Sequence, residues 1–207
     1  IYKLLYRLRQ LRLVSNQFCG LGHINIVVDD IDEGISFYST ALQAVPYQIF
    51  RNFKNAGFSK AAGFLSNADD IELNIAFLDI PNTGLTLELM QYITPETNNK
   101  VETNEVFTVA GVRHVALKVN NIEQAFQKVS QMSGIELISS SKDYQPYKID
   151  TIQDTDFKFC DPMLECDMTK KREVVDCIGK TKYFYFRDKY GVQWEFEQGH
   201  TDVGNDR

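Results

Sequence analysis

The sequence predicts an α+β fold built from two tandem modules, each with its elements in the order βαβββ. Two observations carry this prediction, because the two halves of the chain match at their starts and again at their ends. Residues 20–35 and 111–126 align at a single offset (111 − 20 = 91). Glu88 and Glu195 each stand four residues after a glycine, near the end of their half. Two copies are too few for a solenoid, so the match indicates a duplicated domain.

Each module is predicted to begin with a β-strand that is followed by a helix. In the first copy an apolar run after His23 leads to the polar pair Asp29-Asp30 and then to an amphipathic stretch. The second copy has the same order after His114, with Asn120-Asn121 as its polar pair. An Asp or Asn at this place accepts backbone N–H bonds and caps the helix that follows.

Three further strands complete each module. Runs rich in β-branched and aromatic residues place the two middle strands of the modules near 47–53 and 71–79, and near 134–140 and 181–187. Glycine-containing turns at 79–84 and 188–191 are hairpin signals that lead into the last strands. The last strands hold Glu88 and Glu195.

The predicted domain organisation adds two terminal segments and one insertion to the modules. We expect a helical N-terminal extension over 1–18, a first module over 19–100, a second module over 101–200 and a tail over 201–207. Glu88 follows His23 by 65 residues (88 − 23). Glu195 follows His114 by 81 (195 − 114), so the second module contains extra residues, within about 141–180. Such an insertion is a lid or binding loop, an oligomer contact or mobile surface.

Composition excludes several classes of function. Apolar residues make up 43% of the 207 and charged residues 24%, which is ordinary for a globular protein in water. The net charge of −6, without a basic stripe, argues against nucleic acid as the main partner. No apolar run approaches the roughly 18 residues of a transmembrane segment. We expect a cytoplasmic protein, although a targeting segment upstream of Ile1 stays open.

The N-terminal stretch and the cysteines have ordinary structural explanations. Leucines and basic residues alternate at helical spacing over 1–13, which predicts a short helix that packs on the body or on a partner. A membrane surface is the alternative contact. The four cysteines contain no C-x-x-C, so a structural zinc ribbon is not expected and free thiols are.

Four residues form a candidate set of metal ligands, because they are two equivalent pairs in the repeat. The histidines lie in the first strands and the glutamates lie in the last strands: His23, His114, Glu88 and Glu195. Equivalent positions meet near the axis if a pseudo-twofold relates the copies. A carboxylate on a mostly apolar strand is costly to bury unpaired, and a cation is a suitable partner. Two imidazoles and two carboxylates suit one divalent Zn, Ni, Co, Mn or Fe ion. Singly, each residue is better explained as structural or solvent-facing.

Basic residues near these positions are candidates for holding an anionic substrate: Arg51, Lys54, Lys118 and Arg187. The first two lie in a segment, 47–64, that is equally well explained as a solvated edge strand and turn. Lys118 is expected to share a face with His114, and Arg187 stands just before the last turn. Glu195 and Glu88 are the candidates for a general base that takes a proton from a bound substrate. Glu197 ranks behind them and is expected to be solvated.

The sequence resembles the vicinal oxygen chelate superfamily, which includes glyoxalase I, methylmalonyl-CoA epimerase, extradiol dioxygenases, and fosfomycin and bleomycin resistance proteins. The resemblance covers about residues 20–200 and is carried by GHINIVVDDIDEGISFYSTAL, LTLELMQYITPE, GVRHVALKV and YFYFRDKYGVQWEFEQ. It implies a cup-shaped, partly open mixed β-barrel with flanking helices. It also implies a metal ion held at His23, Glu88, His114 and Glu195.

The resemblance implies a metal-dependent isomerase, epimerase or lyase that chelates a small oxygenated substrate and transfers a proton beside a carbonyl. The carboxylate at Glu88 favours these branches over the extradiol dioxygenases, which bind iron with two histidines and one carboxylate. Two alternatives stay open, namely a protein that sequesters a small molecule and an Fe(II) dioxygenase of the extradiol type. The modules pair either within one chain or between the chains of a homodimer.

Overall fold

The computed structural model describes residues 20–98, 100–101 and 111–199. The predicted N-terminal helix over 1–18, the tail over 201–207 and Cys19 lie outside the described residues. The described chain forms two compact units. The first unit contains 20–98 and 100–101 with the turn Lys189–Gly191, and the second contains 111–188 and 192–199. No helix in these ranges is long and apolar enough to span a membrane.

The first unit has the predicted βαβββ order with one additional short helix. Its elements are β1 Ile24–Val27, α1 Ile31–Ala41, β2 Val45–Phe53, α2 Ala56–Ala61, β3 Glu72–Ile80 and β4 Leu85–Thr94. The sheet is open, with the strand order β1-β4-β3-β2. β1 runs parallel to β4, and the other neighbours are antiparallel. The α+β class predicted from the sequence is therefore confirmed.

The helix α1 covers one face of this sheet and leaves the other face for the candidate site. Ile26 and Val28 of the first strand region and Leu87 and Leu89 of β4 are buried on the helix side. The approach is close, because a methyl group added at Gly34 would lie 3.1 Å from Val28. Side chains alternate between the faces of a strand, so the residues between these positions point to the opposite face.

The second unit repeats this order around the predicted insertion. Its elements are β5 Val115–Lys118, α3 Ile122–Ser130, β6 Ile135–Leu137, β7 Tyr147–Lys148, α4 Pro162–Glu165, α5 Met168–Ile178, β8 Lys182–Asp188 and β9 Gln193–Gln198. The main strand order is β5-β9-β8-β6, and β7 pairs with β8 beside this path. β5 is parallel to β9, as β1 is to β4.

The helix starts follow the same plan in both units. The carboxylate of Asp30 accepts from the Glu33 N–H at 2.8 Å, and the amide oxygen of Asn121 accepts from the Gln124 N–H at 2.9 Å. These are the caps that the polar pairs predict. A second bond repeats as well. Gln91 Oε1 accepts from the Ile31 N–H at 3.3 Å, and Gln198 Oε1 accepts from the Ile122 N–H at 2.8 Å. The last strand of each unit is thereby tied to its first helix.

A buried lysine organises the insertion. Lys171 is 7% exposed. Its Nζ donates to the Asp154 carbonyl at 2.9 Å and to the Glu165 carboxylate at 3.0 Å, and it lies 5.2 Å from the centre of the Phe157 ring. These contacts satisfy the ammonium group inside the segment. Lys171 therefore connects α5 to α4 and to the chain before it.

Asp188 is expected to contribute strongly to stability. It is 5% exposed, and its carboxylate accepts from the Val192 N–H at 3.0 Å and from the Trp194 Nε1–H at 2.8 Å. Asp188→Ala should lower the free energy of unfolding by about 3 kcal/mol, because two bonds to a charged acceptor are lost and a buried indole donor is left unsatisfied. Urea denaturation, followed by the fluorescence of the single tryptophan, measures this change.

The matched control is Asp79→Ala in the corresponding hairpin of the first unit. Asp79 is exposed and accepts from the Thr86 hydroxyl at 2.7 Å. This change should have little effect on the free energy of unfolding, because water replaces the lost partner. Equal losses in the two variants would contradict the role given to burial.

Candidate metal centre

The first unit brings His23 and Glu88 together on the face that α1 leaves uncovered. The parallel register of β1 and β4 sets Asn25 beside Glu88. His23, two residues before Asn25, points to the same face. Its Nε2 lies 3.1 Å from Glu88 Oε2, and Asn25 Nδ2 donates to the same oxygen at 3.1 Å. The glutamate side chain is 8% exposed and the imidazole is 44% exposed, so solvent reaches the pair through the histidine.

The second unit brings His114 and Glu195 together in the same way. Ala116 is the register partner of Glu195, as Asn25 is of Glu88. His114 Nε2 lies 3.0 Å from Glu195 Oε2, with the imidazole 38% and the glutamate 12% exposed. The duplicated sequence pattern thus corresponds to a duplicated arrangement of donor atoms.

An aromatic ring lies against each of the two His–Glu pairs. The sequence pattern did not predict either ring. Phe77 is the register partner of Glu88 on β3, and its ring centre is 6.1 Å from that of His23. Tyr185 is the register partner of Glu195 on β8, and its ring centre is 5.3 Å from that of His114. The separation between the aromatic residue and the glutamate is 11 residues in the first unit (88 − 77) and 10 in the second (195 − 185), because the hairpin of the second unit is shorter by one residue. Alignment at a fixed offset therefore does not find them.

The two glutamates have different hydrogen-bond partners. The Asn25 amide holds Glu88, and the second unit has Ala116 at that place. Tyr185 forms a side-chain hydrogen bond with Glu195 instead. Burial raises the pKa of Tyr185 above its ordinary value, and the bond to Glu195 and the charge of that carboxylate raise it further. A phenol is protonated at neutral pH even at its ordinary pKa, so Tyr185 is the donor in this bond and the Glu195 carboxylate is the acceptor.

The donor chemistry of both pairs fits a divalent cation. Ligand atoms about 2.1 Å from a metal, in adjacent octahedral positions, lie about 3.0 Å apart. The measured Nε2–Oε2 distances are 3.1 Å and 3.0 Å. The same spacing serves a hydrogen bond between imidazole and carboxylate when no cation is bound. Over 20–98, 100–101 and 111–199, no three His, Cys, Asp or Glu side chains form one group close enough to hold a metal. Each unit by itself therefore brings together two of the four candidate ligands.

The basic candidates of the first unit are already paired with carboxylates. Arg51 forms an ion pair with Asp32, and Lys54 Nζ lies 3.0 Å from the Glu72 carboxylate. Both lie in or directly after β2, which is an edge strand with mostly exposed residues. This arrangement matches the alternative of a solvated edge strand. Binding of an anionic substrate by Arg51 and Lys54 stays a prediction.

The basic candidates of the second unit lie on the face that carries His114 and Glu195. Lys118 is exposed at the end of β5 and is the register partner of Glu197. Arg187 Nη1 lies 3.3 Å from the Glu136 carboxylate. Glu197 itself is only 9% exposed, so the expectation that it is solvated was wrong. Its register partners on the two neighbouring strands are Lys118 of β5 and Tyr183 of β8.

Comparison with known proteins gives a family match over most of the chain. The family model described as Glyoxalase/Bleomycin resistance protein/Dioxygenase superfamily matches residues 20–196. The chain is similar to the crystal structure of a glyoxalase family protein from Bacillus cereus, with 16% identity over 89% of this chain and 97% of that chain and a TM-score of 0.57. It is also similar to a glyoxylase/bleomycin resistance protein/dioxygenase domain from Frankia sp. EAN1pec, with 13% identity over 89% and 100% and a TM-score of 0.52.

A weaker likeness is found to the fosfomycin resistance protein FosX from Listeria monocytogenes, a structure complexed with Mn(II) and a sulfate ion. The identity is 14% over 88% of this chain and 93% of that chain, with a TM-score of 0.46. No curated protein matches the sequence. The similar structures from Bacillus cereus and Frankia sp. EAN1pec agree with the α+β fold described here.

Proposed function

The chain belongs to the glyoxalase/bleomycin resistance protein/dioxygenase superfamily, and we propose that it is a metal-dependent, glyoxalase-like isomerase, epimerase or lyase. In this proposal it chelates a small oxygenated substrate and catalyses proton transfer beside a carbonyl. The observation that carries the proposal is the duplicated His–Glu pair, with Nε2–Oε2 distances of 3.1 Å and 3.0 Å.

The proposed ligands of one divalent cation are His23, Glu88, His114 and Glu195. The support is that both pairs have the same register between a first and a last strand. Both carboxylates are nearly buried, which is costly without a cationic partner. The donor set contains nitrogen and oxygen and no sulfur, so Zn, Ni, Co, Mn and Fe are the candidate metals.

The proposed catalytic base is Glu195, with Glu88 as a ligand. A divalent cation, when bound, supplies positive charge that stabilises the oxygen of a substrate that has lost a proton. Glu195 then accepts the proton from the carbon beside the carbonyl and returns it. Glu88 suits this role less, because its side chain is the more buried of the two, 8% exposed against 12% for Glu195. The phenol of Tyr185 orients Glu195 by hydrogen bonding to its carboxylate.

The test of this proposal is hydrogen exchange at carbon. The protein is incubated in D₂O with hydroxyacetone or 2-hydroxyacetophenone, which carry two neighbouring oxygens and exchangeable hydrogens beside the carbonyl. Loss of the methylene signal is followed by nuclear magnetic resonance. Protein loaded with each candidate metal should exchange these hydrogens, and chelator-treated protein should not. Metal-dependent binding without exchange would favour a sequestering protein, and oxygen uptake with an iron-loaded sample and a catechol would favour a dioxygenase.

A further inference from the structure

An aromatic surface adjoins the His23–Glu88 pair in the first unit, and it consists of Tyr47, Phe50 and Phe77. The Phe77 ring meets His23 edge-on, with centres 6.1 Å apart. The ring of Tyr47 also lies near Phe77, with the centres 6.1 Å apart and the ring planes 32° apart. Phe50 meets Phe77 at 6.5 Å. A molecule bound at His23 and Glu88 therefore has Phe77 as its neighbour and Tyr47 next in line.

The aromatic surface packs against the hydrophobic core on one side and is exposed to solvent on the other. Phe50 and Phe77 pack against the buried core cluster of Ile71, Leu73, Ile75 and Met90. Tyr47, in contrast, is 56% exposed. Rings that are held in place by a core lose little freedom when a ligand binds, so they form a preorganised platform. Exposed apolar surface of this kind marks binding sites.

Further apolar side chains extend the aromatic surface. Val45 on β2 is the register partner of Asp79, and Val27 at the end of β1 is the register partner of Met90, so both lie on the face of Glu88. They are 54% and 44% exposed. The two basic side chains of the β2 region face carboxylates, because Arg51 pairs with Asp32 and Lys54 with Glu72. The surroundings of the His23–Glu88 pair therefore favour an apolar group over an anion.

The pair of the second unit has different neighbours. The ring beside His114 belongs to Tyr185, whose hydroxyl bonds to Glu195. Gln193 and Glu197, two residues to either side of Glu195 on β9, share its face of the strand. The rings beside the second pair are those of Tyr185 and Tyr183, with centres 5.5 Å apart, so they carry hydroxyl groups, and an amide and a carboxylate flank Glu195. The ring beside His23, in contrast, belongs to Phe77 and carries no polar group.

We propose that the substrate carries a flat apolar group, above all an aromatic ring, beside its two chelating oxygens, and that Phe77 and Tyr47 bind this group. The inference rests on the proposed function, because it concerns the substrate of the same site. A phenyl group that buries one face against two rings should strengthen binding by about tenfold relative to a methyl group.

The experiment compares benzohydroxamate with acetohydroxamate. Both chelate a metal through two neighbouring oxygens, and they differ only in the apolar group. Dissociation constants are measured by isothermal titration calorimetry on the Zn(II)-loaded protein, with chelator-treated protein as the blank. The ratio of the two constants should favour benzohydroxamate by about tenfold in the wild type. In Tyr47→Ala and in Phe77→Leu the ratio should fall to within about twofold.

The matched control is Tyr147→Ala. Tyr147 is 50% exposed and lies in the second unit, so this change removes an equally exposed tyrosine and should leave the ratio at its wild-type value. Equal affinity of the two hydroxamates in the wild type would overturn the inference and leave the metal site intact. A preference that survives in Tyr47→Ala and Phe77→Leu would overturn the assignment to these rings. Absence of metal-dependent binding of both probes would overturn the proposed function itself.

Discussion

Replacing either His23 or His114 with alanine is expected to remove the bound metal from the protein altogether, rather than half of it. If four side chains hold one cation, each histidine supplies one of only two nitrogen donors. Loss of one donor should lower metal affinity by at least about 100-fold, since changes even to the residues that orient ligands cost 10- to 100-fold. Mass spectrometry of the metal content of tag-free protein should give about one ion per wild-type chain and close to none in each variant.

The chain offers a matched control in its third histidine, His200, which lies outside the described residues. His200→Ala removes an imidazole and should leave the metal content unchanged. Retention of half the metal in both His23→Ala and His114→Ala would contradict a shared site and indicate two independent ones. Full retention in one variant would assign the metal to the other unit's pair alone.

A mixture of the two variants shows whether the four ligands come from one chain or from two chains of a homodimer. If the four ligands come from one chain, a mixture of His23→Ala and His114→Ala protein contains no complete set and binds no metal. If they come from two chains of a homodimer, a mixed dimer contains one complete set. Random subunit exchange in an equimolar mixture makes about half of the dimers mixed, so the metal content of the mixture should rise to about a quarter of an ion per chain. Light scattering of the wild type gives the accompanying oligomeric state.

The repeat allowed much of the fold to be predicted, because equivalent positions constrain each other. The caps at Asp30 and Asn121 follow from short polar pairs before amphipathic stretches, which is local information. The strand predicted near 134–140 is shorter, spanning Ile135–Leu137. The hydroxyl of Tyr144 accepts from the Tyr185 N–H at 2.8 Å and thereby replaces a strand at this edge of β8. Such a long-range bond has no signature in the local sequence.

The sequence predicted the histidines and glutamates of the candidate site, but it did not predict the side chains that lie next to them. His23, Glu88 and their counterparts stood out because the repeat preserves both residue type and register. The exposed fraction of Glu197, the ion pair of Arg51 and the rings beside the histidines depend on neighbouring strands. Strand neighbours come from distant parts of the chain, so periodicity alone does not give them. For this reason the asymmetry between the two pairs emerges only from the structure.

Glu195→Gln is expected to separate catalysis from metal binding. The amide keeps an oxygen that can bind a metal and accept a bond from Tyr185, but it cannot take up a proton. Exchange of the methylene hydrogens of 2-hydroxyacetophenone in D₂O should fall by about 100-fold or more, the usual contribution of a general base. The metal content should stay close to that of the wild type.

Glu88→Gln is the same substitution at the equivalent position and therefore serves as the comparison. Glu88 is the more buried of the two glutamates, with the side chains 8% and 12% exposed, and the Asn25 amide holds it. Because the amide at position 88 also keeps an oxygen for a metal, Glu88→Gln should keep most of the exchange. Any exchange that this variant loses should follow a loss of metal, and excess metal should restore it. Excess metal should not restore exchange in Glu195→Gln, because the missing function there is proton transfer. A parallel, metal-rescued loss in Glu195→Gln would reduce Glu195 to a ligand and move the search for the base to the remaining groups on its face of β9.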